Sequence, residues 1–125
     1  MKRIISTPNA PQAIGPYSQA VEANGFVFIS GQIPINPANG QIPEGIEAQT
    51  EQVMRNIGAI LEAAGLTYAN VVKTTVLLQS IADFGTMNGI YAKYFTADCP
   101  ARAAFEVSAL PKGALIEVEV IAAKN

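Results

Sequence analysis

Residues 46–65 read IEAQTEQVMRNIGAILEAAG. Ile46, Thr50, Val53, Ile57, Ile60, Leu61 and Ala64 recur at spacings of three and four, and Gly65 follows as a C-terminal stop. This is the clearest amphipathic helix in the chain, and the segments on either side read as strands. On the N-terminal side, residues 31–45 form a long connection rich in glycine and proline, with an Asn39-Gly40 turn signal. Before it, Asn24-Gly25 joins strands at residues 18–22 and 26–30 into a hairpin. Residues 2–6 make a short edge strand, broken by Pro8-Asn9-Ala10-Pro11, and Ile14-Gly15-Pro16-Tyr17 reads as a turn. On the C-terminal side, residues 71–79 form a strand with Val72, Thr74, Val76 and Leu78 on one side. Ser80 and Asp83 resemble a capping box opening a second helix, whose stripe is Phe84, Met87, Tyr91, Tyr94 and Phe95. Residues 102–107 and 114–122 are the last strands, read as a hairpin around Leu110-Pro111-Lys112-Gly113. The order predicts one α/β (α+β) domain over residues 1–125, a sheet covered on one face by two helices.

Only 14% of the 125 residues are charged, against about 25% in an average domain. Half are hydrophobic and the mean hydropathy is +0.24. A lone domain of this size buries roughly two-thirds of its unfolded surface. Apolar surface is therefore left for copies of the chain to cover, which predicts a homo-oligomer; a monomer mass in light scattering would count against it. The chain has no histidine, which removes Ser-His-Asp and Cys-His catalysis and His-containing zinc sites. One cysteine makes neither a thiolate cluster nor an intrachain disulfide. A net charge of −2 and a pI near 5.0 argue against a nucleic-acid partner. Lys2-Arg3 precedes only Ile4-Ile5, too short for a signal-peptide core, and no run nears the roughly 20 apolar residues of a membrane helix. A cytoplasmic location, away from any membrane, is the simplest expectation.

The charges of the last two strands bear on function. Ile116, Val118 and Val120 should face the helices, leaving Leu115, Glu117, Glu119 and Ile121 on the other side. In residues 102–107, Ala103, Phe105 and Val107 make the apolar side; Arg102, Ala104 and Glu106 make the other. A hairpin turn between Leu110 and Pro111 sets Ala104 opposite Glu117 and Arg102 opposite Glu119, and a slip of one would part the charges. If this face is solvated, its charges are surface decoration. If another subunit covers it, they must be paired or functional, and the low charge content favours that reading. A guanidinium in a dry cleft fits a carboxylate through two parallel hydrogen bonds, and a nearby glutamate can hold or deprotonate water. Together they point to hydrolysis of a small carboxylate-bearing molecule.

Six motifs stand in order: Ile14-Gly15-Pro16-Tyr17-Ser18-Gln19, Ser30-Gly31-Gln32-Ile33-Pro34, Glu62-Ala63-Ala64-Gly65-Leu66, Val72-Lys73-Thr74-Thr75-Val76, Pro100-Ala101-Arg102 and Ile116-Glu117-Val118. Through them the chain closely resembles the YjgF/RidA family of reactive-intermediate deaminases over essentially its whole length. The resemblance implies a chorismate-mutase-like fold, a homotrimer whose sheets line a central barrel, and ligand clefts between subunits. It implies hydrolysis of 2-iminobutanoate and 2-iminopropanoate, products of pyridoxal-phosphate dehydratases, to 2-oxo acids and ammonia, with no metal or organic cofactor. By position, Arg102 would clamp the substrate carboxylate and Glu117 would position the attacking water and shuttle its proton. Tyr17 would close the cleft near the imine, Gly31 would offer a backbone group to the carboxylate, and Asn88 would line the pocket.

The chain departs from the family pattern at two places. Ala104 stands where many members have a cysteine, so only its backbone carbonyl is left to orient water. Residues 96–99 before Pro100 look shorter than in many relatives, which alters the cleft rim and the imino acids that fit. Plainer readings stand beside these: Arg102 paired with Glu119, Glu117 paired with Lys73 or Arg102, Tyr17 packed in a turn, Asn88 facing solvent, Cys99 passive. Tyr91, Tyr94 and Phe95 read as core. The competing function is a trimer that binds 2-oxo acids or similar metabolites without turnover. Some family members have been described as ribonucleases or translation inhibitors, which the acidity and missing histidines disfavour here.

Overall fold

The computed structural model describes all 125 residues, Met1–Asn125. Six strands form one mixed sheet: β1 (Arg3–Ile5), β2 (Ala20–Ala23), β3 (Phe26–Gln32), β4 (Val71–Leu78), β5 (Ala101–Glu106) and β6 (Ile116–Ala123). Their spatial order is β1-β2-β3-β6-β4-β5, with β4 and β5 parallel and every other pair antiparallel. Two helices, α1 (Ile46–Ala63) and α2 (Phe84–Tyr94), pack together on one face of the sheet. No helix is long and apolar enough to cross a membrane.

The expected helix 46–65 forms because its apolar stripe is continuous: Val53, Met54, Ile57, Ile60 and Leu61 are fully buried. Each such side chain contributes about 1.5–3 kcal/mol of burial free energy. Gly65 adopts φ 77, and the bonds Gly65 N to Glu62 O (2.9 Å) and Leu66 N to Leu61 O (2.8 Å) close a Schellman-type end. The Asn24-Gly25 turn is also as expected, with both residues at positive φ (52 and 80). Both chain ends are fastened to β2. Glu22 accepts from Arg3 Nη2 at 2.6 Å and from Lys124 Nζ at 3.2 Å.

Gly58 is an exception to the rule that alanine stabilises a helix interior by about 1 kcal/mol over glycine. A Cβ there would collide with the Tyr68 hydroxyl and ring. That ring is fixed, because its hydroxyl donates to the Met54 carbonyl at 2.6 Å; burial pushes its pKa up to about 12. Gly58→Ala should therefore lower stability by about 1–3 kcal/mol, read as a lower urea midpoint. A midpoint at or above that of the parent chain would contradict this packing.

The structure corrects the expected final hairpin. β6 is inserted between β3 and β4, and β5 lies parallel to β4 at the sheet edge. Parallel strands need a crossover, and α2 supplies it between β4 and β5. Arg102 therefore pairs with Thr74 and Ala104 with Val76, while Glu117 pairs with Leu77 and Glu119 with Thr75. The expected faces of β5 are reversed as well. Arg102, Ala104 and Glu106 point to the helix side, and Phe105 lies 48% exposed on the opposite side. Phe26 and Phe28 are exposed on that same open side of the sheet.

Two bulges shift the alternation of side chains. Between Val71 and Lys73, β4 carries one residue more than β6, so Val72 is pushed out to solvent and Val71 takes its expected place in the core. Between Ile29 and Gln32, β3 advances one residue further than β6. Ser30 is held there by its N–H to Gln19 O (3.0 Å) and its hydroxyl to Ser18 O (2.6 Å). Of the expected Ser80–Asp83 capping box only the serine half forms: Ala82 N donates to Ser80 Oγ, the turn it opens is the 3-10 turn Ile81–Asp83, and α2 then starts at Phe84 without a side-chain cap.

Candidate active site

Arg102 leaves the edge strand β5 and lies across α2. Phe84, Asn88 and Tyr91 follow one another at spacings of four and three, which aligns them on one helix face. The guanidinium Nη1 donates to Asn88 Oδ1 at 2.6 Å. Its Cζ sits 4.8 Å from the Tyr91 ring centre and 5.3 Å from that of Phe84, within cation–π range. No carboxylate lies within ion-pair distance of Arg102, so the expected alternative of a pair with Glu119 is absent. Beside it opens a cavity of about 400 Å³, lined by Asn88, Tyr91, Phe95, Cys99, Pro100 and Arg102. A tethered cation without a counter-charge, at the wall of a cavity, is suited to an anionic ligand.

Glu117 projects from β6 on the other face of the sheet. Its carboxylate lies over Gly31, where any Cβ would collide with it. The β3 bulge and the missing side chain of Gly31 together make room for this approach. Burial raises the Glu117 pKa above the ordinary glutamate value, and the negative charge of Glu119 raises it further. Neither Lys73 nor Arg102 forms an ion pair with it. Tyr17 sits in a tight turn, with its N–H bonded to Gly15 O at 2.8 Å and its side chain about half exposed. It shares a cavity of about 300 Å³ with Gly31, Gln32, Ile33 and Lys112.

Within one chain the sequence-derived candidates thus fall into two groups. Arg102 and Asn88 meet on the helix side at the β5 edge, with Ala104 half-buried two residues along. Tyr17, Gly31 and Glu117 belong to the second group, with Glu117 on the open side of the sheet. No cluster of three or more His, Cys, Asp or Glu is spaced to hold a metal ion.

Residues 7–124 match the family model described as Endoribonuclease L-PSP, the YjgF/RidA family. The chain belongs to this family. It is 57% identical to a RutC family protein of Pyrococcus horikoshii over 126 residues, with all of both chains covered. It is 50% identical to the 2-iminobutanoate/2-iminopropanoate deaminase of Mus musculus, covering all of this chain and 93% of that one. Its fold matches a crystal structure of a conserved Rid family protein from Yersinia pestis with a TM-score of 0.96 at 54% identity, covering 98% of this chain and 99% of that one.

For this RidA-family chain, reading the sequence missed the aromatic support of Arg102. Tyr91 fits the apolar stripe of α2 and was assigned to the core, where its ring is indeed buried. The usable signal was the aromatic–amide–aromatic spacing of Phe84, Asn88 and Tyr91 beside a strand carrying an unpaired arginine. Buried Thr74 was visible as a polar interruption in an apolar strand, yet its partner, the Tyr91 hydroxyl at 2.8 Å, lies 17 residues away.

Proposed function

We propose that this chain is a 2-iminobutanoate/2-iminopropanoate deaminase, working as a homotrimer whose sites are shared between neighbouring subunits. The observation that carries this reading is an arginine without a counter-charge and a glutamate of raised pKa on opposite faces of one sheet. Two such half-sites join when the β5 edge of one subunit meets the open sheet face of the next. Repeated head to tail, that contact closes a ring. The exposed Phe26, Phe28 and Phe105 supply apolar surface for it. The names and identities of the curated relatives support the chemistry.

In the proposed reaction, Arg102 grips the substrate carboxylate through its fork, with the Gly31 backbone as a second contact. Asn88 and the rings of α2 hold the guanidinium. Glu117 takes a proton from a water that attacks C2 of the protonated imine. The resulting neutral 2-amino-2-hydroxy acid takes the proton from Glu117 onto its nitrogen. Its hydroxyl then gives its proton back to Glu117 as the C–N bond breaks, and the 2-oxo acid and ammonia leave, the ammonia carrying that last proton away as ammonium. Tyr17 closes the cleft near the imine nitrogen, and Ala104 leaves only a backbone carbonyl for water. The electrophile is activated by its own protonation, so the protein mainly supplies orientation and a placed base. No metal or organic cofactor is required. The proposed setting is the cytoplasm, where dehydratases acting on threonine or serine release such imines.

The test couples a threonine dehydratase to semicarbazide, which traps free imine. The protein should divert 2-iminobutanoate to 2-oxobutanoate and ammonia and lower the semicarbazone yield. No acceleration with several imino acids would overturn the enzyme reading, and binding of 2-oxobutanoate without turnover would replace it with a metabolite-binding trimer.

The pH profile follows from Glu117. As the base it works when ionised, and its raised pKa sets the acid limb of kcat/KM above the ordinary glutamate range. Glu119→Gln removes the like charge, eases ionisation of Glu117 and should move that limb to lower pH. Burial remains, so the limb should stay above about pH 4.3, the unperturbed value. A limb unmoved in Glu119→Gln would separate Glu119 from the titrating group.

A further inference from the structure

We propose that Thr74 and Tyr91 act as positioning residues for the Arg102 guanidinium, fixing the ring against which it lies. This deepens the reading above and rests on Arg102 gripping the substrate carboxylate. Arg102 rises from an edge strand on a long, freely rotating stem and is itself exposed. The Asn88 bond holds one corner of its fork, but one hydrogen bond leaves the plane of the guanidinium free to turn about it. The Tyr91 ring, 4.8 Å from Cζ, sets that plane only if the ring itself is fixed.

The Tyr91 ring is fixed from the sheet. Its hydroxyl bonds Thr74 Oγ1 at 2.8 Å, and Thr74 is fully buried in β4. Thr74 is also the residue paired with Arg102 across the β4–β5 ladder. A closed circuit of constraints results, from the Arg102 backbone to the Thr74 backbone, through the two hydroxyls to the Tyr91 ring, and back to the guanidinium. The same strand residue locates both the root of the arginine and the surface its tip rests on. This accounts for a hydroxyl buried among Val76, Val118 and Val120, where a valine would fill the space without a buried polar atom.

The test measures steady-state kinetics with 2-iminobutanoate, 2-oxobutanoate affinity by calorimetry, and thermal midpoints. The variants are Thr74→Val, Tyr91→Phe, the double variant, Tyr91→Leu and Arg102→Ala. Loss of either hydroxyl should raise KM about three- to tenfold, the scale of one hydrogen bond, and weaken 2-oxobutanoate equally while kcat changes less than twofold. The double variant should be no worse than either single one, because both remove the same bond. Tyr91→Leu, which also removes the ring, should raise KM further, and Tyr91→Phe retains the stacking. Lower thermal midpoints with KM within twofold of the parent chain would assign Thr74 and Tyr91 to stability alone and overturn the proposal. Single-variant effects that multiply in the double variant would overturn the circuit. If Arg102→Ala itself leaves kinetics and affinity unchanged, the carboxylate-grip reading fails, and this proposal with it. Impaired Arg102→Ala beside unaffected hydroxyl variants sinks only the positioning role.

Discussion

Arg102→Ala should lower kcat/KM for 2-iminobutanoate by about a hundred- to a thousandfold while leaving the fold and the proposed trimer intact. The scale is that of removing one partner from a hydrogen-bonded charge pair shielded by the neighbouring subunit of the proposed ring, about 3–4 kcal/mol. The expectation that structure survives has its own basis. Arg102 forms no ion pair, and its protein contacts are the Asn88 bond and the faces of Phe84 and Tyr91 at the sheet edge. Arg102→Lys keeps the charge without the two-pronged geometry and should recover only part of the loss. Activity assays with light scattering on the same samples decide the matter. Full activity in Arg102→Ala, or loss of activity only through dissociation, would remove the arginine from the site.

The second large effect is expected from Glu117→Gln, which keeps shape and removes the base. The kcat should fall about a hundred- to ten-thousandfold, the usual range for a positioned proton-transfer group, with KM changing far less. The same substitution should raise thermal stability near pH 7. The folded state raises the pKa of this carboxyl, so folding favours its protonated form. Its contribution to stability is therefore fully present below the ordinary glutamate value and is lost as pH rises through the raised one. Glutamine does not titrate, so the gain in midpoint should shrink as pH falls through the raised value and vanish below about 4.3, the ordinary glutamate value. A variant that loses activity and stability together at every pH would mark Glu117 as structural.

Mixing the two inactive chains tests the division of the site. Co-refolded Arg102→Ala and Glu117→Gln subunits should regain about one quarter of parental activity, because random head-to-tail rings rebuild an intact pair at that fraction of contacts. No recovery in mixed oligomers would require both residues to act from one chain, which the strand register opposes.

The parts of this fold that could be read from the sequence are those determined by neighbouring residues. The α1 stripe, its Gly65 stop and the Asn24-Gly25 hairpin each depend on contacts within a few positions. The last two strands could not be paired this way. Reading consecutive strands as a hairpin ignored that α2 had already committed the chain to a parallel return beside β4. The faces of β5 reverse for a separate reason: alternation alone shows that Ala103, Phe105 and Val107 share an apolar side, and that side is the open face rather than the helix side, with Phe105 48% exposed. For the site, the motifs around Tyr17, Gly31, Arg102 and Glu117 identified residue types and left their spatial division hidden. Thr74 and Tyr91 were hidden more deeply, since a buried polar pair reads as two unrelated positions until the fold brings them together.

The bulge in β3 has a bearing beyond its own strand. Val27 and Ile29 point inward, and after Ser30-Gly31 it is Gln32 that points inward, so odd and even numbering exchange roles at that step. The strand behaves as two half-strands out of phase, and the seam between them is where a carboxylate settles onto bare backbone. Deleting one residue at the seam would bring the halves back into step and keep the sheet continuous, while closing the gap that receives Glu117. In an amino-acid string, a pair of small residues across which inward parity flips is thus a place to look for chemistry that no single side chain announces.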